Sequence, residues 1–384
     1  MEKILFTSES VSEGHPDKLC DQISDAILDE CLKQDPNARV ACECYITTNL
    51  LIIGGEIRVK GIIDYERIAR QVICSAGYEN EEWGIDGNTC EVKIVIDEQS
   101  NDIAIGVDNG GAGDQGIMFG YATKETSNYM PLPISIAHDL ILLATKLRKN
   151  SIFKDARPDM KSQVTIDYSN PEKLKIDTIL MSIQHNENYN KIEFERFVKK
   201  HIMDEIAKKY QMNTDYKYLI NPTGRFVIGG PKGDTGLTGR KIVVDTYGGM
   251  ARIGGGAFSG KDATKVDRSA CYMARYITKN IVAANLCDKC ELQLSYGIGI
   301  AEPLSIFLET FNTEKIDKGK IIDIIINNFD LTPKGIISTL DLKKDIYFQT
   351  SVGGHFGRDE FNWEKLDKVE QLIEEARTFI TKGN

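Results

Sequence analysis

The hydrophobic positions in the first third of the chain predict a helix, two strands and a second helix. Residues 17–34 carry apolar side chains three to four positions apart, the spacing of one helix face, and Pro16 stands where a first turn tolerates proline. The apolar stretch 42–62 is interrupted by Gly54-Gly55, which predicts a hairpin turn there. Residues 65–76 predict a helix that ends at Gly77.

Helices and strands continue in mixed order along the rest of the chain. The alternation of Cys90, Val92, Ile94 and Ile96 predicts one face of a strand, and a long loop follows it. We expect helices at 133–148, 191–209, 262–285 and from residue 364, and strands at 163–168, 176–183, 241–246 and 291–300. This order lacks the strict alternation of a doubly wound parallel sheet and predicts an α+β fold. Candidate boundaries at 99–116 and 221–224 divide it into three units.

Composition places the chain among folded, water-soluble proteins of more than one domain. It has 384 residues, of which 41% are hydrophobic and 27% charged. The net charge of −10 argues against a protein that mainly coats nucleic acid or an anionic membrane. No signal peptide or membrane-spanning run is predicted, and the nine cysteines lack metal-ligand spacing. We therefore expect reduced thiols in the cytoplasm.

Glycine and positive charge are concentrated in one stretch of this acidic chain. Residues 225–268 hold eleven of the 33 glycines, and eight basic residues stand there against four acidic ones. Glycines permit close backbone approach to a polyphosphate, and the lysines and arginines would neutralise it. A set of surface turns with solvated lysines is the alternative.

Two glycine motifs in the chain do not meet the requirements of the sites that they resemble. The GxGxxG string at 111–116 lacks the preceding strand and following helix of a dinucleotide site, which argues against a nicotinamide or flavin enzyme. The string 255–262 fits seven positions of a P-loop but has Asp262 where Ser or Thr must bind Mg²⁺. Asp262 also suits a helix N-cap.

The start of the helix predicted at 262–285 is unusually basic. Lys261, Lys265 and Arg268 crowd an end at which the helix dipole disfavours cations, so an anion between them would stabilise the arrangement. Lys261 and Lys265 are four residues apart and are predicted to point to the same side. Asp267 is placed to hold Mg²⁺.

The stretch Gly14-His15-Pro16-Asp17 predicts a second anion site, at the start of the first helix. Pro16 begins that helix, so His15 and Asp17 flank its exposed N–H groups. His15 would donate to an anion and Asp17 would hold a second Mg²⁺, unless both are only helix caps. Two helix starts and a basic cluster together point to one triphosphate held from several sides.

Four strings of the chain resemble S-adenosylmethionine synthetase (methionine adenosyltransferase). They are residues 6–18 (FTSESVSEGHPDK), 111–116 (GAGDQG), 221–230 (NPTGRFVIGG) and 254–262 (GGGAFSGKD). The likeness covers nearly the whole chain, and the strings occur in the family's order.

The resemblance implies three similar α+β domains related by pseudo-threefold symmetry. They would span 1–100, 112–227 and 228–384, with a mobile active-site loop at 99–111. A homodimer or homotetramer with active sites shared between subunits is implied as well. The implied reaction converts ATP, L-methionine and water into S-adenosylmethionine, phosphate and diphosphate. A non-catalytic or regulatory subunit of the same fold is the alternative.

The resemblance also implies a role for individual residues. The catalytic residues would be His15, Lys161, Arg240 and Lys261. The ATP-binding residues would be His15, Asp159, Met160, Lys161, Arg225, Phe226, Asp234, Arg240, Lys241, Ala257 and Lys261. Methionine would contact Glu56, Gln99, Asp114, Asp234 and Lys265. Asp17 and Asp267 would bind two Mg²⁺ per active site, and Glu43 would bind K⁺.

Several of these residues have a plain structural alternative. Glu43 could form an ordinary ion pair on its strand, and Phe226 could belong to the core beside Val227 and Ile228. Glu56 and Gln99 could be loop residues. The residues themselves support the phosphate and Mg²⁺ assignments, whereas the methionine and K⁺ assignments rest on the resemblance.

Overall fold

A computed structural model describes residues 3–98 and 110–381 of the chain. Thirteen strands lie in these ranges: β1 (Leu5–Val11), β2 (Arg39–Thr47), β3 (Leu50–Arg58), β4 (Glu79–Asn80), β5 (Ile85–Asp86), β6 (Glu91–Asp97), β7 (Gly116–Thr123), β8 (Ala156–Asp167), β9 (Lys175–His185), β10 (Lys217–Ile220), β11 (Gly236–Leu237), β12 (Lys289–Tyr296) and β13 (Ser305–Glu309). The helices of the same ranges are α1 (Pro16–Gln34), α2 (Tyr65–Ala76), α3 (Leu132–Lys149), α4 (Lys191–Val198), α5 (Asp204–Lys209), α6 (Ile242–Asp245), α7 (Val266–Ala283), α8 (Lys318–Asn328), α9 (Pro333–Leu340) and α10 (Val369–Thr381).

The strands form three larger sheets that exchange strands between distant parts of the chain. The sheet orders are β1-β8-β9-β10, β11-β2-β3-β6 and β13-β12-β7, and β4 pairs with β5 separately. Strand β1 thus joins the sheet of the central segment, β7 joins that of the last segment, and β11 joins that of the first. Each large sheet contains strands from two sequence segments, so the segments are tied together by backbone hydrogen bonds.

Helices cover one face of each sheet. Helix α3 packs on β1 and β8, α1 packs on β2, and α7 packs on β7 and β12. Two buried clusters result: a larger one between the first and last segments, and one around α3, β8 and β9. The fold is therefore an α+β fold, as predicted. None of the helices in the described ranges is long and apolar enough to cross a membrane.

Most of the predicted elements are confirmed. Helices α1 and α2 match their predictions to within a residue, and α2 ends at Gly77, whose φ of 103° is left-handed. The helix predicted at 191–209 is present but contains a π-turn over Lys199–Met203. The strand predicted at 163–168 is the later part of β8, and the strand predicted at 176–183 lies within β9.

The hairpin turn predicted at Gly54-Gly55 is wrong. The chain turns at Thr48-Asn49, where Asn49 takes a left-handed φ of 53°, and both glycines lie inside β3. Gly55 is required there because a Cβ atom would stand 1.9 Å from the carbonyl oxygen of Ala41. These glycines reflect close contact between strands rather than a turn.

Other predicted elements also differ from the structure, and the strand predicted at 291–300 ends at Tyr296. Residues 242–245 form a single helical turn, α6, instead of a strand. Helix α7 begins at Val266 rather than at 262, and the last helix begins at Val369 rather than at 364. Strand β6 is present at the edge of its sheet, and its Ile94 is 45% exposed.

Candidate active site

The N-terminus of α1 places His15 and Asp17 as predicted. Strand β1 ends at Val11, and after a short turn His15 caps the helix: its Nδ1 accepts the N–H of Asp17 at 3.2 Å. Burial, followed by the charges of Lys241 and Lys161, lowers the pKa of His15 to about 3. The ring is therefore neutral, and its Nε2–H is the proton available for donation.

Asp17 is buried, and cationic side chains lie around its carboxylate. Its Oδ1 accepts a hydrogen bond from Leu237 N–H at 3.0 Å, and its Oδ2 accepts one from Lys241 Nζ at 2.5 Å. An Arg240 nitrogen lies 3.8 Å from Oδ1. Burial by itself would raise the pKa of Asp17, but the Lys241 and Leu237 hydrogen bonds hold that pKa below its usual value. The carboxylate is therefore charged at neutral pH.

Strand β8 brings three predicted residues beside this helix start. Lys161 is exposed and lies opposite Val11 of β1. Asp159 is buried and accepts the N–H of Gly230 at 2.9 Å, while burial raises its pKa to about 6. The Met160 side chain, by contrast, belongs to the buried cluster around α3, and its backbone groups bond Ser12. Met160 therefore presents no side chain to a ligand.

We call His15, Asp17, Lys161, Arg240 and Lys241 the helix-start cluster. Its members come from α1, from β8 and from the loop after β11. The cluster combines one buried carboxylate and a neutral imidazole with three cations. The resulting excess of positive charge suits a polyanion.

A cavity of about 500 Å³ opens on the face of β2 that carries Ala41 and Glu43. The residues that line it include Ala41, Glu43, Asp114, Ala257, Lys261 and Asp267, together with Thr238, Gln115 and Ser259. Glu43 is exposed, and no ion pair of Glu43 occurs within the described residues, so the ion-pair alternative gains no support. Gly256 allows the loop to pass against Asp267, because a Cβ there would stand 2.2 Å from Cγ of that carboxylate.

We call Glu43, Asp114, Ala257, Lys261 and Asp267 the cavity group. Lys261 Nζ donates to Asp267 Oδ2 at 2.8 Å, and about a quarter of each of these two side chains is exposed. The backbone of Lys261 forms a β-bridge with Ala41, which fixes its position on the edge of β2.

The predicted arrangement of Lys261 and Lys265 on one helix face is wrong. Because α7 begins only at Val266, Lys261 lies in the preceding loop. Lys265 pairs with the buried Asp262 instead of facing the cavity. Asp262 is not the helix cap either, since its carboxylate accepts N–H groups from Val40 and Thr264. Arg268 is fully buried against Asp25 and faces the core.

Two of the residues predicted to surround adenine, Phe226 and Arg225, lie near His185. Phe226 is half-buried, and its N–H donates to His185 Nε2 at 3.0 Å. Arg225 is exposed and pairs with Glu187 at 2.6 Å. Asp234 is exposed and is close enough to Asp159 to raise the pKa of that buried carboxyl.

The residues predicted to bind methionine are only partly gathered. Asp114 lines the cavity, and Glu56 is the exposed partner of Ala41 across β2 and β3, which places it beside the cavity. Gln99 lies outside the described residues, as do positions 100–109 of the predicted loop. The structure therefore groups Glu56 and Asp114 and leaves Lys265 paired elsewhere.

The elements that follow the two glycine motifs explain why neither forms the nucleotide site that its sequence resembles. The 111–116 string leads into strand β7, whereas a dinucleotide site requires a following helix. The 255–262 string is followed by a turn that ends at Lys265. Neither arrangement presents a helix N-terminus directly after the glycines.

Sequence reasoning missed the partners of the glycine-rich segment. Asp21 and Asp25 of α1 accept N–H groups of Gly239 and Gly260, and both carboxylates are buried. Their spacing of four from Asp17 was the available signal, because it places all three on one helix face. Thr238, Gln115 and Ser259 of the cavity were missed as well.

Models of one protein family match the chain in three consecutive parts. Residues 3–101 match "S-adenosylmethionine synthetase, N-terminal domain", residues 109–226 its central domain and residues 228–365 its C-terminal domain.

Similar full-length proteins carry the related name S-adenosylmethionine synthase. The chain is 64% identical to that of Mycoplasma capricolum subsp. capricolum over 97% of its own length and 98% of the relative's. It is 63% identical to that of Mycoplasma mycoides subsp. mycoides over the same shares. It is 62% identical to that of Mesoplasma florum over 96% of its own length and 99% of the relative's.

Proposed function

The chain belongs to the S-adenosylmethionine synthetase family, and from that premise we propose that it is a methionine adenosyltransferase. ATP, L-methionine and water would give S-adenosylmethionine, phosphate and diphosphate. The methionine sulfur attacks C5′ of ATP in line and displaces the triphosphate, which is then hydrolysed. The observation that carries this proposal is the helix-start cluster, where three cations and a neutral His15 surround one buried carboxylate.

This cluster suits a reaction whose leaving group is a triphosphate. A thioether is already a neutral nucleophile, so the first step needs no general base. The barrier then depends on alignment and on stabilising the charge that develops on the triphosphate. Lys161, Arg240 and Lys241 supply that stabilisation, and His15 donates its Nε2–H to the oxygen that leaves C5′. Lys261 would hold the same polyphosphate from the cavity side.

The remaining assignments rest on the family resemblance. Phe226 would stack on adenine beside Arg225 and Asp159, an aromatic face against a π-system. Ala257 would line the nucleotide site, and Met160 would contribute through packing only. Glu56, Gln99, Asp114, Asp234 and Lys265 would place methionine, and Lys265 would first have to leave Asp262.

The donor set fits Mg²⁺ of the kind that bridges phosphates. Mg²⁺ commonly uses one or two carboxylates together with substrate phosphates and waters. Asp17 and Asp267 each offer one carboxylate beside a lysine, and no larger cluster of metal-ligating side chains occurs in residues 3–98 and 110–381. We assign one Mg²⁺ to each, where it would neutralise charge on the leaving triphosphate. Glu43 would associate with K⁺.

The cavity group is open, which supports a site shared between subunits. Exposed apolar side chains continue the surface on β7 and β13, including Ile117 and Phe307, each 45% exposed. Such a patch suits association with a second copy of the chain. We propose a homodimer or homotetramer in which the partner covers the cavity. The cytoplasmic location belongs to this proposal too; all nine cysteines are free thiols.

An activity assay tests the proposal directly. Purified protein with ATP, methionine, Mg²⁺ and K⁺ is expected to produce S-adenosylmethionine together with equal amounts of phosphate and diphosphate. Omission of methionine is the control that separates synthesis from simple ATP hydrolysis. No product, or product without diphosphate, would reject the proposal and favour a non-catalytic subunit.

A further inference from the structure

Helix α1 carries four aspartates at intervals of four residues. They are Asp17, Asp21, Asp25 and Asp29, and this spacing aligns them on one face of the helix. All four are buried, with relative exposures of 1%, 0%, 0% and 7%. Buried carboxylates are costly unless they are paired or hydrogen-bonded, so each of them needs specific partners.

The partners are backbone N–H groups of distant residues. Asp17 accepts from Leu237, Asp21 from Gly239 at 2.8 Å and Asp25 from Gly260 at 2.8 Å. Hydrogen bonds from N–H groups to a carboxylate are stronger than those to neutral acceptors. The row of carboxylates thus fixes three points of one glycine-rich segment against α1.

We call residues 236–262 the glycine-rich strap. Its opposite side is held by β2, because Thr238 N–H donates to Cys44 O, Cys42 N–H donates to Gly260 O and Asp262 N–H donates to Val40 O. The two ends of the strap, residues 237–239 and 260–262, therefore bond the carboxylates of α1 on one side and the backbone of β2 on the other. It carries the proposed polyphosphate ligands Arg240, Lys241 and Lys261.

Two buried cations, Lys18 and Arg268, form ion pairs with aspartates of this row. Lys18 Nζ lies 3.0 Å from Asp21 Oδ2 and also contacts Asp245. Arg268 donates two hydrogen bonds to Asp25, at 2.7 and 2.9 Å, and a third to Lys261 O at 3.2 Å. The carboxylates are thereby fixed in place on α1 while they hold the strap.

We propose that Asp21 and Asp25 are positioning residues that set the strap, and with it Arg240, Lys241 and Lys261, for the triphosphate. This inference rests on the proposed function. Gly239 directly precedes Arg240 and Gly260 directly precedes Lys261, so each carboxylate holds the backbone one residue before a polyphosphate ligand. Cations that are placed before the reaction stabilise charge without reorganisation, and small displacements weaken them strongly.

Asp29 provides a matched control on the same helix face. It is also buried and accepts two N–H groups, from Tyr347 at 2.9 Å and Phe348 at 2.8 Å, but these lie outside the strap. Loss of its charge should therefore act on stability alone.

The test compares Asp21→Ala, Asp21→Asn and Asp29→Asn by titration with inorganic tripolyphosphate in MgCl₂ and by steady-state kinetics. We expect Asp21→Ala to raise the Kd for tripolyphosphate and the KM for ATP about tenfold, as loss of an anchoring hydrogen bond implies. The KM for methionine should stay within about twofold. Asp21→Asn keeps an oxygen for Gly239 and should recover part of the affinity. Asp29→Asn should leave both constants unchanged.

Unchanged affinity in a folded Asp21→Ala protein would overturn the inference, and so would an equal loss in Asp29→Asn. Should Asp21→Ala not fold, amide exchange of the wild-type protein decides. Gly239 and Gly260 must be protected like core amides, and fast exchange at both would overturn the inference. Failure of the wild-type protein to bind tripolyphosphate would do the same. Absence of S-adenosylmethionine with intact, Asp21-dependent tripolyphosphate binding would reject only the proposed function.

Discussion

The helix-start cluster and the cavity group differ in how completely one chain builds them. Asp17 is buried, with two hydrogen bonds and a further nearby cation, and His15 is fixed as a helix cap. Glu43 and Asp114 are exposed, and the Lys261–Asp267 pair is partly solvated. No hydrogen bond or ion pair between side chains of the two groups occurs within the described ranges.

This difference indicates separate tasks. Charged groups that hydrogen bonds hold in place can stabilise a leaving group without rearrangement, because their orientation is fixed before substrate arrives. An open set of carboxylates on a sheet face needs a substrate or a partner chain to complete it. We therefore expect substitution of the buried Asp17 to affect both the reaction and the fold, and substitution of exposed members of either group to affect the reaction alone.

The largest effect is expected from Lys161→Met. It removes an exposed cation next to His15 without disturbing a buried pair, so synthesis should fall by at least about a thousandfold while the fold remains intact. Turnover is measured as S-adenosylmethionine formed, and circular dichroism checks the fold. Lys175→Met, an exposed lysine on β9 of the same sheet, is the control and should retain activity. Undiminished turnover in Lys161→Met would contradict the catalytic role that we assign to the helix-start cluster.

The second prediction separates the two groups by stability. Asp17→Asn breaks a largely buried pair with Lys241. We expect the free energy of unfolding to fall by about 2 kcal/mol and the synthesis activity to fall as well. Asp267→Asn breaks a partly solvated pair with Lys261, so activity should fall while the stability changes by less than about 1 kcal/mol. Thermal unfolding measures the stability of the two variants, and the synthesis assay measures their activity. Equal destabilisation by the two substitutions would contradict the comparison.

The smallest effect concerns acid stability. Because the pKa of His15 is lowered to about 3 in the folded state, the unfolded chain binds more protons between that value and its ordinary pKa of 6.5. The contribution of the neutral ring is complete above about pH 6.5 and decreases as the pH falls toward 3. We expect the thermal midpoint to fall between pH 7 and 5, and less steeply in His15→Gln. His201→Gln is the control because that ring is exposed. If His201→Gln made the thermal midpoint fall less steeply with pH to the same extent as His15→Gln, the pH dependence could not be assigned to His15.

The position of His15 and Asp17 at the start of α1 was predictable because its signal is local, whereas the individual roles of Lys161, Arg240 and Lys241 were assigned by the family resemblance. Pro16 at a helix start, with His15 and Asp17 on either side, depends on positions within one turn, and the structure places them accordingly. The pairing of Lys265 with Asp262 was not predictable, because it depends on where α7 begins. The Asp262 carboxylate also accepts the N–H of Val40, more than two hundred residues away in sequence, and no local pattern contains that contact.

The glycine pattern shows the same limit. Its density predicted close backbone approach, but Gly55 lies against a neighbouring strand, and Gly239 and Gly260 donate to carboxylates of α1. Composition cannot distinguish a glycine that approaches a ligand from one that approaches another strand or helix.

The sequence by itself determined the α+β class, most helices, the basic glycine-rich stretch and the residues that resemble the family's site. Local spacing and side-chain chemistry are sufficient for these. Only the tertiary structure decided that β1, β7 and β11 join sheets of other segments, and that α1 holds the strap through a row of buried aspartates. Such contacts join residues far apart in the chain, and their free energy depends on burial and hydrogen-bond geometry that no local pattern encodes.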